Sequence, residues 1–272
     1  MPAAQLARLR SQIQELSFKL TQPEAFTQAL LQLLDFYGDQ IHQNGKEVTS
    51  ASRLPAGHIP VLVLNELTLG LGRLAQANPL ASLSAAETLW SIPHYETRLL
   101  AGKFLGQIPV SHTEHIVETI EKWCQPDEDR AVIDEMIRNA GTRLRNEEPQ
   151  RWLALMQFWL LQKDAFHQTL ALEGLIPLIE ENGARHLPVV FSLLEAPIKS
   201  PSQALQADLL NILQTATECS PVETASFLAH LLQESDNAST SRLVRRLLPS
   251  FDPPTQARLR SLMPSRPISG LR

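Results

Sequence analysis

Leucine, abundant and set at helical spacing, is the feature that most limits how this chain can fold. Leucine supplies 46 of the 272 residues. Apolar side chains recur three and four apart, as in Leu99, Leu100, Phe104 and Leu105, in Ile116, Ile120 and Trp123, and in Leu209, Leu210 and Leu213. That spacing lays them along one face of a helix with 3.6 residues per turn. Val, Ile, Thr and Tyr seldom alternate with polar residues over the roughly four to eight positions a half-buried strand requires. The pattern predicts an all-α protein with an aliphatic core, since aromatic residues make up only 6% of the chain.

Helix starts are marked by a side-chain oxygen followed three residues later by a carboxylate or amide, an arrangement that satisfies orphan backbone N–H groups reciprocally. Ser84 to Glu87, Ser111 to Glu114, Ser200 to Gln203 and Ser220 to Glu223 fit it, and Asp252 before Pro253 is a weaker start. About twelve to fourteen helices of roughly 10–20 residues follow, joined from Ser84 onward by connectors of a few residues. Antiparallel helix pairs in series imply a stacked-helix solenoid, a superhelix of degenerate repeats, rather than a closed bundle. Similar segments at 98–108, 151–161, 206–216 and 242–251 keep no strict period. The chain reads as a single domain over 1–272. Within it, Gly38 to His58 is a long polar stretch with no apolar face, either a mobile loop or a segment extended over a surface, and 264–272 is a flexible tail.

No apolar run approaches the roughly 20 residues needed to span a bilayer, so no membrane role is expected. The first residues, MPAAQLARLRSQIQELSFKL, interleave Arg8, Arg10 and Lys19 with Gln and Glu and read as a helix, not a signal. Cys124 and Cys219 form no metal-type or disulfide-type spacing. They read as two free thiols on buried helix faces, in keeping with a reducing cytosol and a cytoplasmic protein.

The phosphate-loop, dinucleotide, nucleophile-elbow and zinc-protease signatures are absent, so no cofactor is expected. His112, His115 and Glu118 could face one metal, but with no distant ligand they read as solvated side chains beside a cap, and no metal is expected. Between Glu114 and Glu135 stand eight carboxylates against Lys122 and Arg130. Most belong to a solvated face and to the positive start of a helix near Asp127. Trp123 and Asp127 are the pair of interest. An indole beside a carboxylate across an interhelix corner can hold a cation; equally, Trp123 can close the apolar face of its helix while Asp127 caps the next.

The formal charge of −5 argues against a protein that simply coats nucleic acid, yet it is unevenly spread. Seven Arg and one acid follow Ser241, a local balance of +6, which leaves −11 for the residues before it. Arg242, Arg245 and Arg246 share one helical stripe that could meet phosphates or pair with an acidic neighbouring face.

The segment Glu87-Thr88-Leu89-Trp90-Ser91-Ile92-Pro93-His94-Tyr95-Glu96-Thr97-Arg98-Leu99-Leu100-Ala101-Gly102 resembles the signature of the DNA alkylation repair family, the AlkD-like alkylpurine DNA glycosylases built from HEAT-like helical repeats. The Trp123/Asp127 corner and the stretch Glu148 to Leu155 follow in register, and the resemblance covers roughly 55–250. It implies a right-handed superhelix whose basic concave surface embraces duplex DNA, and release of cationic N3- and N7-alkylpurines by hydrolysis of the N-glycosidic bond. By the same resemblance Trp123 contacts the deoxyribose, Asp127 stabilises the oxocarbenium-like sugar with Asp129 as its rival, and Arg151 contacts the backbone. The sequence departs from the family where a second aromatic is expected: Asn211 stands near that position, and no Trp follows Trp159. A non-catalytic scaffold that binds DNA or a protein is therefore the alternative reading.

Overall fold

A computed structural model describes residues 3–42, 52–57, 59–200, 202–234 and 237–263. Among them are fifteen α-helices, four short 3-10 turns and no strand, one helix more than the upper expectation. They are α1 (Ala3–Ser17), α2 (Pro23–His42), α3 (Val61–Ala77), α4 (Pro79–Trp90), α5 (Tyr95–Leu105), α6 (Thr113–Trp123), α7 (Arg130–Ala140) and α8 (Thr142–Glu147), then α9 (Pro149–Leu160), α10 (Ala165–Asn182), α11 (Leu187–Lys199), α12 (Gln206–Cys219), α13 (Pro221–Glu234), α14 (Ala238–Leu247) and α15 (Pro253–Leu262).

The chain divides into two compact units, residues 1–152 and 153–272, a division for which the sequence carries no linker. In the first unit α1, α3, α5 and α7 pack in succession, with α2 against α4 beside them. In the second, α10, α12 and α14 pack in succession, and so do α11, α13 and α15. Within each unit most helices thus meet the next but one, the way a helical repeat fold buries the apolar stripes of its elements. Most leucines at helical spacing are buried, and Leu67, Leu89, Leu100, Leu209, Leu213 and Leu228 are fully enclosed, whereas Leu210 is half-buried. Phe26 of α2 stacks on Phe104 of α5 with ring centroids 5.9 Å apart.

Helix starts follow the side-chain signals only in part. Ser220 bonds the Glu223 carboxylate and α13 begins at Pro221, as expected. α15 begins at Pro253 after Asp252, although that side chain caps nothing. Ser84 starts no helix: α4 already begins at Pro79, where proline suits the first helical position, and Ser84 lies inside it. Ser111 lies inside the 3-10 turn Val110–His112 before α6, and the Ser200 to Gln203 segment leads into another before α12, so neither makes the reciprocal cap. The same Ser-x-x-Glu pattern arises by chance within helices, where backbone N–H groups already have partners.

The long polar stretch also starts later than its composition suggests, because α2 runs on to His42. Residues 43–51 and 58 lie outside the described residues, as does the tail 264–272. Residues 52–57 form an extended segment fastened to α5. The Tyr95 N–H donates to the Pro55 carbonyl at 2.9 Å. Buried Glu96 accepts from the N–H groups of Gly57 at 3.1 Å and Ile59 at 3.5 Å.

Two contacts tie α7 to its neighbours. At Gly106, a Cβ would stand 1.9 Å from the Asn139 carbonyl oxygen, so only glycine lets the end of α5 approach the end of α7. Arg145, 1% exposed, donates to the carbonyl oxygens of Ile137 at 3.4 Å and Arg138 at 2.7 Å and lies over the Trp152 ring. A buried guanidinium there satisfies acceptors that the end of α7 leaves open. Among the described residues no helix is long and apolar enough to cross a membrane.

Candidate functional site

The turn 124–129 between α6 and α7 gathers most of the chemistry of the first unit. Beneath it lies Trp123, the last residue of α6, on the same face as Ile116 and Ile120. It is 3% exposed, and its indole stacks on Trp90 of α4 with centroids 4.6 Å apart and planes within 3°. Arg98 of α5 completes the group. Its guanidinium sits over the Trp90 ring at 5.1 Å, its Nε donates to the Trp90 carbonyl at 3.1 Å, and Nη1 pairs with Glu128 in the turn. Glu128 also accepts the N–H of Asp129 at 2.9 Å. One arginine therefore joins the end of α4 to the turn, and both partners are mostly withdrawn from water.

Asp129 caps α7. Its Oδ1 accepts from the Val132 N–H at 3.2 Å, and its Oδ2 accepts from the Arg53 N–H at 2.7 Å. Burial alone would raise its pKa. The N–H groups of Arg53 and Val132, the Ser52 hydroxyl and the N–H of Ala131 outweigh that and hold it below the usual carboxylate range. Asp129→Asn keeps a capping oxygen but loses the charge, and is expected to lower stability by about 0.3–1 kcal/mol at neutral pH, the worth of a negative charge at a helix N-terminus. Because the folded pKa is depressed, this contribution is present above the unfolded carboxylate value of about 3.9 and disappears as pH falls through the folded value. Urea unfolding of both proteins from pH 7 downward checks it: the two stabilities should converge below pH 4, and a constant gap would refute the assignment.

Asp127 is placed differently. It is exposed, at the outer side of the turn, and no described residue donates to its carboxylate. It lines a cleft of about 620 Å³ together with Arg53, Leu54, Glu128, Asp129 and Arg130. The N-terminus of α7 adjoins the cleft, and its dipole favours an ionised carboxylate there. A larger hollow, about 870 Å³, lies between α1 and α3. Its only carboxylate, Glu66, is held by Arg10 through two bonds of 2.9 Å, so no acidic group is open in it.

The expected site residues separate accordingly. Asp127 and Asp129 share the cleft, one open and one committed to the helix cap. The Trp123 indole, which the resemblance places against the deoxyribose, lies under the turn, stacked on Trp90, and does not line the cleft. Asp127 does not cap α7 either, since Asp129 does. Arg151 stands in the first turn of α9, paired with Glu148 at 3.1 Å, and is not among the residues lining the cleft. In the second unit Arg242, Arg245 and Arg246 lie exposed along α14 with no carboxylate partner among the described residues. Asn211 is exposed on α12.

His112 and His115 meet edge to face at 6.3 Å, and among the described residues no group of three or more His, Cys, Asp or Glu could hold a metal. Cys124 is buried, which pushes its thiol pKa far up, whereas Cys219 is exposed, contrary to the expectation of two buried thiols. Sequence reasoning missed Arg53 and the tether that Glu96 makes to the 52–57 segment. The role of Arg98 in joining α4 to the turn is likewise invisible in the 87–102 signature that contains it.

A sequence model of a family described as DNA alkylation repair enzyme matches residues 65–247. The chain belongs to this family. Membership gives it a role in DNA repair, and the matched span contains Trp90, Arg98, the 124–129 turn and the α14 arginines. In this DNA alkylation repair protein the signature block 87–102 acts as a brace: Trp90 and Arg98 hold the turn, and Glu96 holds the extended segment on the cleft's other side. Arg53 precedes the matched span. No curated protein matches the chain.

Proposed function

We propose that this family member releases N3- and N7-alkylpurines from duplex DNA by hydrolysing the N-glycosidic bond, with Asp127 as the catalytic carboxylate. The observation that carries this reading is an open carboxylate in a cleft of the repair-family span, beside a second carboxylate closed off by helix capping. Alkylation at N3 or N7 leaves the purine cationic. As the C1′–N bond breaks, the base takes the bonding pair and departs neutral, so it needs no proton from the protein. The positive charge passes to the sugar. A fixed carboxylate facing C1′ stabilises that oxocarbenium-like state more than the ground state, and water then adds to C1′ and releases its proton to solvent.

Within this reading Trp123 acts from below, fixing the turn on which Asp127 sits, and the α14 arginines supply phosphate contacts from the second unit. Arg151, on α9, is assigned a backbone contact. A second reading, a DNA- or protein-binding repeat scaffold without catalysis, is favoured by the burial of Trp123 and by Asn211 near the place where the resemblance expects a second aromatic.

The deciding test is base release. The protein is incubated with duplex DNA carrying N7-methylguanine, and free base is counted while duplex affinity is measured across salt. Release well above the spontaneous rate is expected. No release, with salt-sensitive binding retained, selects the scaffold; absence of both rejects a duplex-directed role.

A further inference from the structure

We propose that Arg53 binds the phosphodiester flanking the nucleotide whose sugar faces Asp127, so that a residue outside the family-matching span completes the cleft. The inference rests on the DNA-directed reading above. Arg53 lines the cleft together with Asp127. Its main chain is fixed by the 2.7 Å bond from its N–H to Asp129, and the segment behind it is tied to α5 through Pro55 and Gly57. The guanidinium takes no part in these bonds. It is exposed, and no described residue accepts from it although three carboxylates line the same cleft. Glu128 is occupied by Arg98, Asp129 by backbone N–H groups, and Arg130 by Asp134 at 2.7 Å. Arg53 and Asp127 are thus a cation and an anion held in one cleft without neutralising each other.

A nucleotide residue in DNA presents that pair of needs. Its sugar develops positive charge during glycosidic cleavage, and its flanking phosphates are permanently negative. A guanidinium on an anchored backbone meets a phosphate through two parallel N–H···O bonds with little ordering cost. A cleft with Asp127 alone would repel the backbone it has to approach.

The test uses the full chain and a duplex carrying a tetrahydrofuran abasic analogue, which keeps sugar and phosphates and removes the base. Fluorescence anisotropy is read across salt for the wild type, Arg53→Ala, Arg53→Lys and, as a control for lost charge, Arg73→Ala from the hollow between α1 and α3. Arg53→Ala should bind about tenfold more weakly, as for loss of one charge-assisted contact, and its log–log salt slope should fall by about one. Arg53→Lys should keep the slope and recover part of the affinity, and Arg73→Ala should match the wild type. The thermal midpoint of Arg53→Ala should stay at the wild-type value, because the backbone and not the side chain binds Asp129. Wild-type affinity and slope in Arg53→Ala, or an equal loss in Arg73→Ala, overturns the assignment while leaving the DNA reading intact. A wild type without salt-sensitive binding overturns both.

Discussion

Trp123→Ala is expected to lose about 3–5 kcal/mol of unfolding stability, whereas Trp123→Phe should lose about 1–2 kcal/mol. The indole is almost wholly enclosed and stacked parallel to Trp90, with Arg98 over the Trp90 ring and tied to the turn through Glu128. Alanine removes the apolar area, leaves a cavity, and takes away the surface against which Trp90 is packed. Phenylalanine retains a ring in the stack. Urea unfolding followed by circular dichroism measures both variants. A Trp123→Ala protein as stable as the wild type but unable to process DNA would show that the indole serves a ligand and not the fold, contrary to its burial here.

Asp127→Asn is expected to slow base release by about 10²–10³-fold, the usual cost of removing one preorganised electrostatic group from a transition state. Asparagine keeps the shape and loses the charge. Since Asp127 is exposed and accepts no bond from a described residue, stability should move by no more than about 0.5 kcal/mol. Duplex affinity should hold or rise, because a negative charge near the phosphates has been removed. Single-turnover release and anisotropy on one preparation separate the two effects. A parallel fall in affinity and rate would make Asp127 a binding residue.

The all-α fold was legible because each apolar stripe is a local property: the spacing that puts Leu99, Leu100 and Phe104 on one face is also the spacing that buries them. The start of α13 at Pro221 was legible for the same reason. Ser84 misled because a capping pattern says nothing of a helix already begun at Pro79. The corner between α6 and α7 could be located from Trp123 and Asp127, and the helical period of Ile116, Ile120 and Trp123 already contained the structural role of the indole. What spacing cannot show is competition between neighbours, here Asp129 and not Asp127 taking the α7 cap. Contacts across long separations were hidden altogether. Arg53 stands in a polar stretch without pattern, and only the backbone bond to Asp129 and the hold of Glu96 on Gly57 bring it into the cleft. The overall charge was equally uninformative, since much of the acidity near the turn is neutralised locally, Glu128 by Arg98, Asp134 by Arg130 and Glu87 by Lys122.

The central claim is that one carboxylate of the turn is held open for chemistry while its neighbour is committed to the fold. The measurement that tests it most directly is single-turnover release of N7-methylguanine by Asp127→Asn and Asp129→Asn side by side, at neutral pH and at a temperature where both are folded. The account predicts near-complete loss of release in the first and a rate within a few-fold of wild type in the second. Full activity in Asp127→Asn, or a loss confined to Asp129→Asn, would contradict it.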